Sequence, residues 1–229
     1  PTPEFDRFLD SVLVPGDRER VLDILAYLIG PGNPQQRAVM LHGTGRNGKG
    51  VLLSLLTEAF GNHQISTVAL NQMSSRFSAS RLYGKPLNLV GDIDAGHIKD
   101  TGVFKQITGG DPVEMDVKHH QAFPATVWAV PVFSANRLPS FSDSSHGNYR
   151  RWVVVDFPNQ FDGSDVTLKD RLAAELPAIL GKLLRRLTEN GMVIRDSEPG
   201  NKALDRFMRR SDPVREWLSE NEAEGFHTT

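Results

Sequence analysis

The first 36 residues carry apolar positions at helical spacing in two segments, "PEFDRFLDSVL" and "DRERVLDILAYLIG". Apolar residues three and four positions apart lie on one face of a helix, so each segment predicts an amphipathic helix. Pro15-Gly16 separates the segments, Asp17 is placed to cap the second helix, and Gly30-Pro31-Gly32 ends it. We expect residues 1–36 to form a small helical N-terminal subdomain.

From residue 38 onward the apolar positions form short continuous runs that alternate with helical patterns. Such runs are typical of strands that are buried on both faces of a parallel sheet. The pattern predicts an α/β fold of three layers, with about five mainly parallel strands, over residues 37–160. The predicted strands lie in "AVMLH", "QISTVAL", "LNLVGDID", "TVWAVPVFSAN" and "RWVVVDF".

Beyond residue 160 the pattern is helical again. "LKDRLAAELPAILGKLLRRLTENG" predicts a helix that is interrupted around Pro177, because proline removes a backbone donor. "NKALDRFMRR" and "DPVREWLSENEAEG" predict two further amphipathic helices. Residues 161–229 are therefore expected to be a C-terminal helical region.

The composition narrows the class of protein. Hydrophobic residues make up 39% of the 229 and charged residues 24%, as in a soluble globular protein. There are no cysteines, which excludes disulfides, thiolate zinc sites and cysteine nucleophiles. The longest apolar run, "VWAVPVF", is too short to span a bilayer, and the N-terminus lacks the layout of a secretion signal. We expect a location in bacterial, archaeal or infected-host cytoplasm and no membrane partner.

The stretch "AVMLHGTGRNGKG" fits two phosphate-binding fingerprints. The dinucleotide fingerprint GxGxxG needs an acidic residue about 20 positions on, and the predicted second strand ends in Val68-Ala69-Leu70-Asn71 without one. The triphosphate loop GxxxxGK needs a lysine for the β and γ phosphates, and Lys49 stands there. We predict an ATP-binding P-loop (Walker A); a glycine-rich turn without a ligand is the alternative. The expected cofactor-binding residues are Gly43, Thr44, Gly45, Arg46, Asn47, Gly48, Lys49, Gly50 and Val51.

A triphosphate enzyme also needs acidic residues at the end of a neighbouring strand to hold Mg²⁺ and position water. "LNLVGDID" provides Asp92 and Asp94, although a strand that ends in solvated turn aspartates would look the same. Gly50 stands where this loop usually carries a Ser or Thr hydroxyl that binds the metal. We therefore expect weaker Mg²⁺ affinity with the chemistry retained, and either aspartate can be the group that polarises water.

Four segments in one order resemble the superfamily 3 helicases, specifically the helicase domain of phage and plasmid primase-helicase proteins, which are kin to the poxvirus primase-helicase. The segments are "GTGRNGKG", "FKQITGGDPVEMDVKHHQAF", "VPVFSANRLPSF" and "NYRRWVVVDFP", and the likeness covers residues 4–160. The resemblance implies an AAA+-related P-loop ATPase that forms a homo-hexameric ring. It also implies movement along single-stranded or forked DNA, usually 3′ to 5′, in phage or plasmid DNA replication.

The resemblance assigns further catalytic roles. Asn136 matches the sensor asparagine, whose amide can orient the attacking water beside the γ-phosphate. Arg150 and Arg151 match the pair from which an arginine finger reaches the nucleotide of a neighbouring subunit. Adjacent residues point to opposite faces of a strand, so we expect one of them to be the finger and favour Arg150, because Arg151 enters the strand directly.

Between the acidic strand and the sensor strand, "DPVEMDVKHHQAF" alternates and predicts a hairpin with Lys118, His119 and His120 at its tip. In the family this hairpin faces the ring channel and binds the DNA backbone. Because the net charge is −2, any DNA contact must be local, and a hairpin repeated around a ring would provide it. A solvated loop is the alternative, whereas adjacent histidines without further ligands do not favour a zinc site.

Two other functions fit parts of the pattern. A small-molecule phosphotransferase shares the P-loop and the parallel sheet, but it would need an acceptor and ignore DNA. A nucleotide-gated DNA-binding module would bind without translocating. A primase active site has no room beside these elements, so a primase domain or partner, if the native protein has one, would lie outside this segment.

Overall fold

The computed structural model describes residues 1–94, 96–119 and 121–211. It contains helices α1–α8, strands β1–β9 and two short 3₁₀ turns, at Asn62–Gln64 and Leu70–Gln72. In chain order the elements are α1 (Pro3–Val12), α2 (Arg18–Ile29), β1 (Ala38–His42), α3 (Lys49–Phe60), β2 (Ile65–Ser66), α4 (Ser78–Leu82), β3 (Leu87–Val90), β4 (His97–Ile98), α5 (Gly102–Gly109), β5 (Pro112–Met115), β6 (Phe123–Thr126), β7 (Val130–Ala135), β8 (Ser140–Phe141), α6 (His146–Tyr149), β9 (Trp152–Asp156), α7 (Leu168–Asn190) and α8 (Glu198–Arg209).

The central sheet has five strands in the order β2-β3-β7-β1-β9, and every neighbouring pair is parallel. Its strands are apolar at successive positions because helices cover both faces. Val39 and Leu41 pack in one apolar cluster with α1, α2, α3 and α7, whereas Met40 packs in a second cluster with α5 and α8. The prediction of an α/β fold with a mainly parallel sheet is confirmed.

Two predicted strands are shorter than their apolar runs. In "QISTVAL" only Ile65–Ser66 pairs with β3, because the buried side chain of Asn88 takes over the pairing beyond it. Its Oδ1 accepts the backbone N–H of Val68 at 2.7 Å and its Nδ2 donates to the Val68 carbonyl at 3.0 Å. In "TVWAVPVFSAN" only Val130–Ala135 lies in the central sheet.

Two helix predictions were wrong in detail. α7 runs without interruption through Pro177, and its apolar positions pack against the sheet cluster on both sides of that residue. Asp17 precedes α2 but its side chain makes no capping hydrogen bond. Its carboxylate instead accepts two hydrogen bonds from Arg20, at 2.7 and 2.9 Å, so the ion pair uses the oxygens that a cap would need.

Helices α1 and α2 of the predicted N-terminal segment, 1–36, and α7 of the predicted C-terminal segment, 161–229, share the apolar cluster on one face of the sheet of segment 37–160, whereas α8 packs in the cluster on the other face. The division into three segments stays a prediction. The predicted helix "NKALDRFMRR" corresponds to α8, and "DPVREWLSENEAEG" lies outside the described residues. None of the helices in the described part of the chain has the length and apolar character that a bilayer span needs.

Candidate nucleotide-binding site

The polar residues predicted from three separate segments meet at one edge of the sheet. The glycine-rich loop, residues 43–48, follows β1, Asn136 directly follows β7, and Asp92 comes two residues after β3. β7 lies between β1 and β3, so the acidic strand is not the direct neighbour of β1 that the sequence suggested. Because all three strands are parallel, their carboxyl ends open onto the same crevice.

Lys49 is the centre of this arrangement. Its Nζ donates to the Gly43 carbonyl at 2.5 Å, to Asn47 Oδ1 at 3.0 Å and to Asn136 Oδ1 at 3.3 Å. The side chain is buried, and burial lowers its pKa, while the charge of Asp92 opposes that effect. An ammonium group that has lost most of its hydration is a strong attractor for anionic oxygens.

The loop holds its shape because two glycines leave room for their neighbours. A Cβ on Gly43 would lie 2.1 Å from Asn47 Nδ2 and 2.5 Å from the Phe157 carbonyl oxygen. Gly48 has a φ of +90°, and a Cβ there would lie 2.6 Å from Val12 Cγ1 of α1. α3 begins at Lys49, so its free backbone N–H groups face the loop, which is a favourable arrangement for phosphate.

Gly50 lies in the first turn of α3 without a steric reason for being glycine. Nothing approaches within 4 Å of a Cβ built at this position, and no left-handed φ requires glycine there. A serine or threonine therefore fits the space. Steric crowding therefore does not explain why this loop lacks a hydroxyl side chain at position 50.

The two aspartates differ in their surroundings. Asn136 Nδ2 donates to Asp92 Oδ1 at 2.9 Å, so Asp92 is connected through Asn136 to Lys49. Asp94 is exposed, and no hydrogen bond or ion pair joins its carboxylate to another described residue. No group of three or more His, Asp or Glu side chains in the described residues could hold a metal ion. The two carboxylates suit Mg²⁺ when phosphate oxygens and water complete its shell.

Arg150 and Arg151 both precede β9, which begins at Trp152, so Arg151 does not enter the strand as expected and the alternation of a strand does not separate the two. They differ in burial and in their hydrogen-bond partners. Arg151 is buried, and its guanidinium donates to Thr108 Oγ1 at 2.9 Å and to the Gly147 carbonyl. Arg150 is exposed and donates to Gln36 Oε1 at 2.6 Å. Of the two, only Arg150 presents its guanidinium at the surface.

The predicted hairpin is present: β5 and β6 are antiparallel, with Pro112 opposite Thr126 and Met115 opposite Phe123. Lys118 and His119 lie exposed in the connection between the strands, and His120 lies outside the described residues. An ion pair between Arg76 and Asp116 attaches one arm of the hairpin to the segment before α4.

A cleft with a volume of about 750 Å³ lies beside the loop, and no sequence motif predicted it. Its lining comes from α1, the glycine-rich loop, the first turn of α3 and the segment 161–168, which no motif connects. The segment after β9 follows the loop closely: Gln160 Nε2 donates to Thr44 Oγ1 at 2.9 Å, and the Phe161 N–H donates to the Arg46 carbonyl at 2.8 Å.

Known proteins share parts of this architecture. Residues 41–151 match the model of a family described as "Family of unknown function (DUF5906)". A protein of Acanthamoeba polyphaga mimivirus named "Putative helicase L207/L206" is 26% identical over 151 residues, which are 63% of this chain and 16% of that protein. The chain is therefore similar in sequence to a viral protein named as a helicase.

Solved structures with the same fold include the A-form apo structure of the NrS-1 C-terminal region, with a TM-score of 0.67 and 15% identity. That match covers 90% of this chain and 50% of the other. A second apo structure of the same region has a TM-score of 0.65 and 14% identity, covering 90% and 51%. At these identities the likeness shows the fold, and the chain spans about half of the NrS-1 region.

Proposed function

We propose that the chain is the ATP-hydrolysing motor of a DNA helicase, of the superfamily 3, AAA+-related type that its motifs resemble. The observation that carries this proposal is the meeting of Lys49, Asn136 and Asp92 at the mouth of the glycine-rich loop. A buried cation, an amide and a carboxylate at one crevice are the groups that hydrolysis of a polyphosphate needs. Similarity to a helicase-named viral protein supports the choice among P-loop functions.

The hydrogen bonds among Lys49, Asn136 and Asp92 suggest a role for each residue in ATP hydrolysis. Lys49 would exchange its contact with Asn136 Oδ1 for phosphate oxygens, whose negative charge favours the ammonium form. Asn136 would then be free to orient a water, and Asp92 lies within hydrogen-bonding distance of that amide. Asp92 and Asp94 would hold Mg²⁺, which neutralises charge on the β and γ phosphates when it is bound.

An arginine finger from this chain would have to act on another subunit. The β1–β9 register pairs Ala38 with Trp152 at one end and His42 with Asp156 at the other. Arg150 precedes the first pair and the glycine-rich loop follows the second, so at least about 13 Å of strand separates them. This geometry supports a site completed between subunits, as in a homo-hexameric ring, with Arg150 as the contributing residue.

DNA would contact the β5–β6 hairpin through Lys118 and His119. Both are exposed and lie in a turn that the Arg76–Asp116 ion pair holds against the body of the protein. Lysine neutralises a backbone phosphate as a point charge, which suits binding without base recognition. Movement of the hairpin with the nucleotide state would translocate single-stranded DNA.

The test is ATP hydrolysis by the wild-type chain, Lys49→Ala and the surface control Lys169→Ala, each with and without single-stranded DNA and across a Mg²⁺ titration. We expect DNA-stimulated hydrolysis that Lys49→Ala abolishes and Lys169→Ala retains. Unchanged hydrolysis in Lys49→Ala would refute the proposal. Turnover that requires an added small-molecule acceptor and ignores DNA would indicate a phosphotransferase, and nucleotide-dependent DNA binding without turnover would indicate a gated binding module.

A further inference from the structure

Tyr83 and Phe123 form an exposed aromatic pair. Their ring centroids lie 5.8 Å apart with the ring planes at 80°, which is the edge-to-face geometry that aromatic rings favour. Tyr83 is 51% exposed and Phe123 is 40% exposed, so each ring also presents part of its surface to solvent. Single exposed apolar side chains are ordinary, but two such rings in contact form an apolar surface that a ligand can cover.

The aromatic pair lies toward the other end of the central sheet from the nucleotide site. Tyr83 comes before β3, whereas Asp92 comes after it. β3 has four residues, which span about 13 Å. A ligand bound at the aromatic pair would therefore not occupy the crevice at the carboxyl ends of the strands.

Phe123 places the aromatic pair beside the turn of the β5–β6 hairpin. It is the first residue of β6 and stands opposite Met115, the last residue of β5, so the turn begins directly beyond this pairing. Lys118 is exposed in the turn, and no hydrogen bond or ion pair joins it to another described residue. The exposed Glu114 belongs to the other face of the hairpin, because side chains alternate along a strand. The surface at this end of the hairpin thus combines aromatic rings with an unpaired lysine.

The other charges near the aromatic pair also favour an anionic ligand. Arg81 lies in the last turn of α4, two residues before Tyr83; it is exposed, and none of the described residues pairs with it. Asp116, at the start of the hairpin turn, is already in an ion pair with Arg76. Single-stranded nucleic acid combines negative charge with flat aromatic bases, and proteins bind it with cationic and aromatic side chains on one surface. The aromatic pair and the cations beside it have this composition.

We infer that the aromatic pair binds single-stranded DNA by stacking with its bases, while Lys118 of the same hairpin binds the backbone. The inference rests on the proposed function, because it takes DNA as the partner. It adds a second kind of contact, made to the bases, to the phosphate contact of the hairpin turn. Every base has a π-face, so stacking on these rings requires no particular sequence, as a motor that moves along DNA needs.

The experiment compares two fluorescent oligonucleotides of equal length: oligothymidylate and an abasic strand, which keeps the phosphates and lacks the bases. Fluorescence anisotropy is measured for the wild-type chain, Tyr83→Ala, Phe123→Leu, Lys118→Ala and the conservative control Tyr83→Phe. Phe123→Leu removes the ring but keeps an apolar side chain at the end of the hairpin, so the hairpin can remain folded. The wild type should bind oligothymidylate more tightly than the abasic strand.

Tyr83→Ala and Phe123→Leu should each weaken oligothymidylate binding by about tenfold through lost stacking and leave binding of the abasic strand unchanged. Tyr83→Phe keeps the ring and should bind both strands as the wild type does, whereas Lys118→Ala should weaken both by the same factor. Equal losses on the two strands in Tyr83→Ala and Phe123→Leu, or no loss on either, would overturn this inference alone.

Light scattering on the same variants tests the competing explanation that the aromatic pair contacts another subunit. A smaller particle mass in Tyr83→Ala and Phe123→Leu, with oligothymidylate binding otherwise unchanged, would overturn the inference and assign the pair to a subunit contact. A wild-type chain that binds neither strand, and whose ATP hydrolysis ignores DNA, would overturn the proposed function as well.

Discussion

The amide of Asn136 donates to Oδ1 of Asp92 across 2.9 Å, and its carbonyl oxygen accepts from Lys49 at 3.3 Å. One side chain thus connects Lys49 with Asp92. Asn136 follows β7, which lies between β1, the strand before the glycine-rich loop, and β3, the strand before Asp92. The orientation of the amide follows from its partners, because an ammonium can only donate and a carboxylate can only accept. In the proposed function, Asn136 would lose its contact with Lys49 when phosphate binds that lysine.

Replacing Asn136 tests this role. Asn136→Ala removes both hydrogen bonds but leaves Lys49 bound to Gly43 and Asn47, so phosphate binding should persist. We expect kcat for ATP hydrolysis to fall by about 100-fold, the effect of losing one positioned hydrogen-bond donor at the reacting group, with KM changed by less than about threefold. Steady-state kinetics with single-stranded DNA present measure both. A large rise in KM with kcat unchanged would instead make Asn136 a binding residue.

The open space at Gly50 allows the missing hydroxyl to be restored. In Gly50→Ser the side chain meets no neighbour and lies in the turn that follows the lysine, where a hydroxyl can bind Mg²⁺. We expect the Mg²⁺ concentration for half-maximal ATP hydrolysis to fall by about three- to tenfold, as for one added oxygen ligand. Gly50→Ala is the matched control: it shares the gain in helix propensity, at most about 1 kcal/mol, and should leave the Mg²⁺ dependence unchanged. Equal shifts in the two variants would exclude a hydroxyl effect.

The sequence predicted the residues of this crevice because each one follows an apolar run. In a parallel sheet the carboxyl ends of the strands open at one edge, so Lys49, Asp92 and Asn136 could be expected to meet before any coordinates were known. The strand order was not predictable, since β7 inserts between β1 and β3 through pairings that are distant along the chain. Local patterns do not determine such pairings.

The sequence also did not predict where a side-chain hydrogen bond replaces a backbone pairing or prevents a helix cap. Asn88, whose side chain pairs with the backbone beyond β2, is in the sequence an ordinary polar residue of "LNLV". Arg20, which forms an ion pair with Asp17, is in the sequence an ordinary surface charge of a helix. The cleft beside the loop was not predicted because its two walls, α1 and residues 161–171, are far apart along the chain. The adjacent arginines lie in the turn before β9, so alternation along a strand does not apply to them, and only their hydrogen-bond partners and burial distinguish them.

Alanine substitutions at Arg150 and Arg151 should therefore affect different properties, ATP hydrolysis in one case and stability in the other. Arg150→Ala removes an exposed group and should leave thermal stability nearly unchanged, while ATP hydrolysis in the assembled protein falls by about 10³-fold or more, as for a lost arginine finger. Arg151→Ala removes the hydrogen bonds of a buried guanidinium to Thr108 Oγ1 and the Gly147 carbonyl, and should lower the free energy of unfolding by about 1–3 kcal/mol. Thermal denaturation and ATPase assays on both variants separate these effects. An inactive, stable Arg151→Ala beside an active Arg150→Ala would reverse the assignment.

Asp23 joins α2 to α7 and to the segment after it, and this makes stability dependent on pH. Burial alone would raise the pKa of Asp23, but hydrogen bonds from Arg195 and Arg186 lower it below its ordinary value of 3.8. Because the pKa is lower in the folded state, the carboxylate stabilises the fold above about pH 4, and this contribution is lost as the pH falls further. Denaturant unfolding of wild type and Asp23→Asn should show a difference of about 1–3 kcal/mol at pH 7 that shrinks toward pH 3. A difference that is constant over this range would contradict the ionic origin.

The hairpin charge can be tested by the salt dependence of DNA binding. Each lysine that neutralises a phosphate of single-stranded DNA releases counterions and contributes about 0.7 to the slope of log K against log salt. Lys118→Ala should therefore weaken binding to oligonucleotides of any sequence and flatten this slope by about 0.7 for each hairpin in contact. Lys99→Ala, which removes an exposed lysine outside the hairpin, is the control and should bind as the wild type does. Fluorescence anisotropy at several salt concentrations gives both quantities. If the affinity fell while the slope stayed constant, Lys118 would support the hairpin conformation and would not contact phosphate directly.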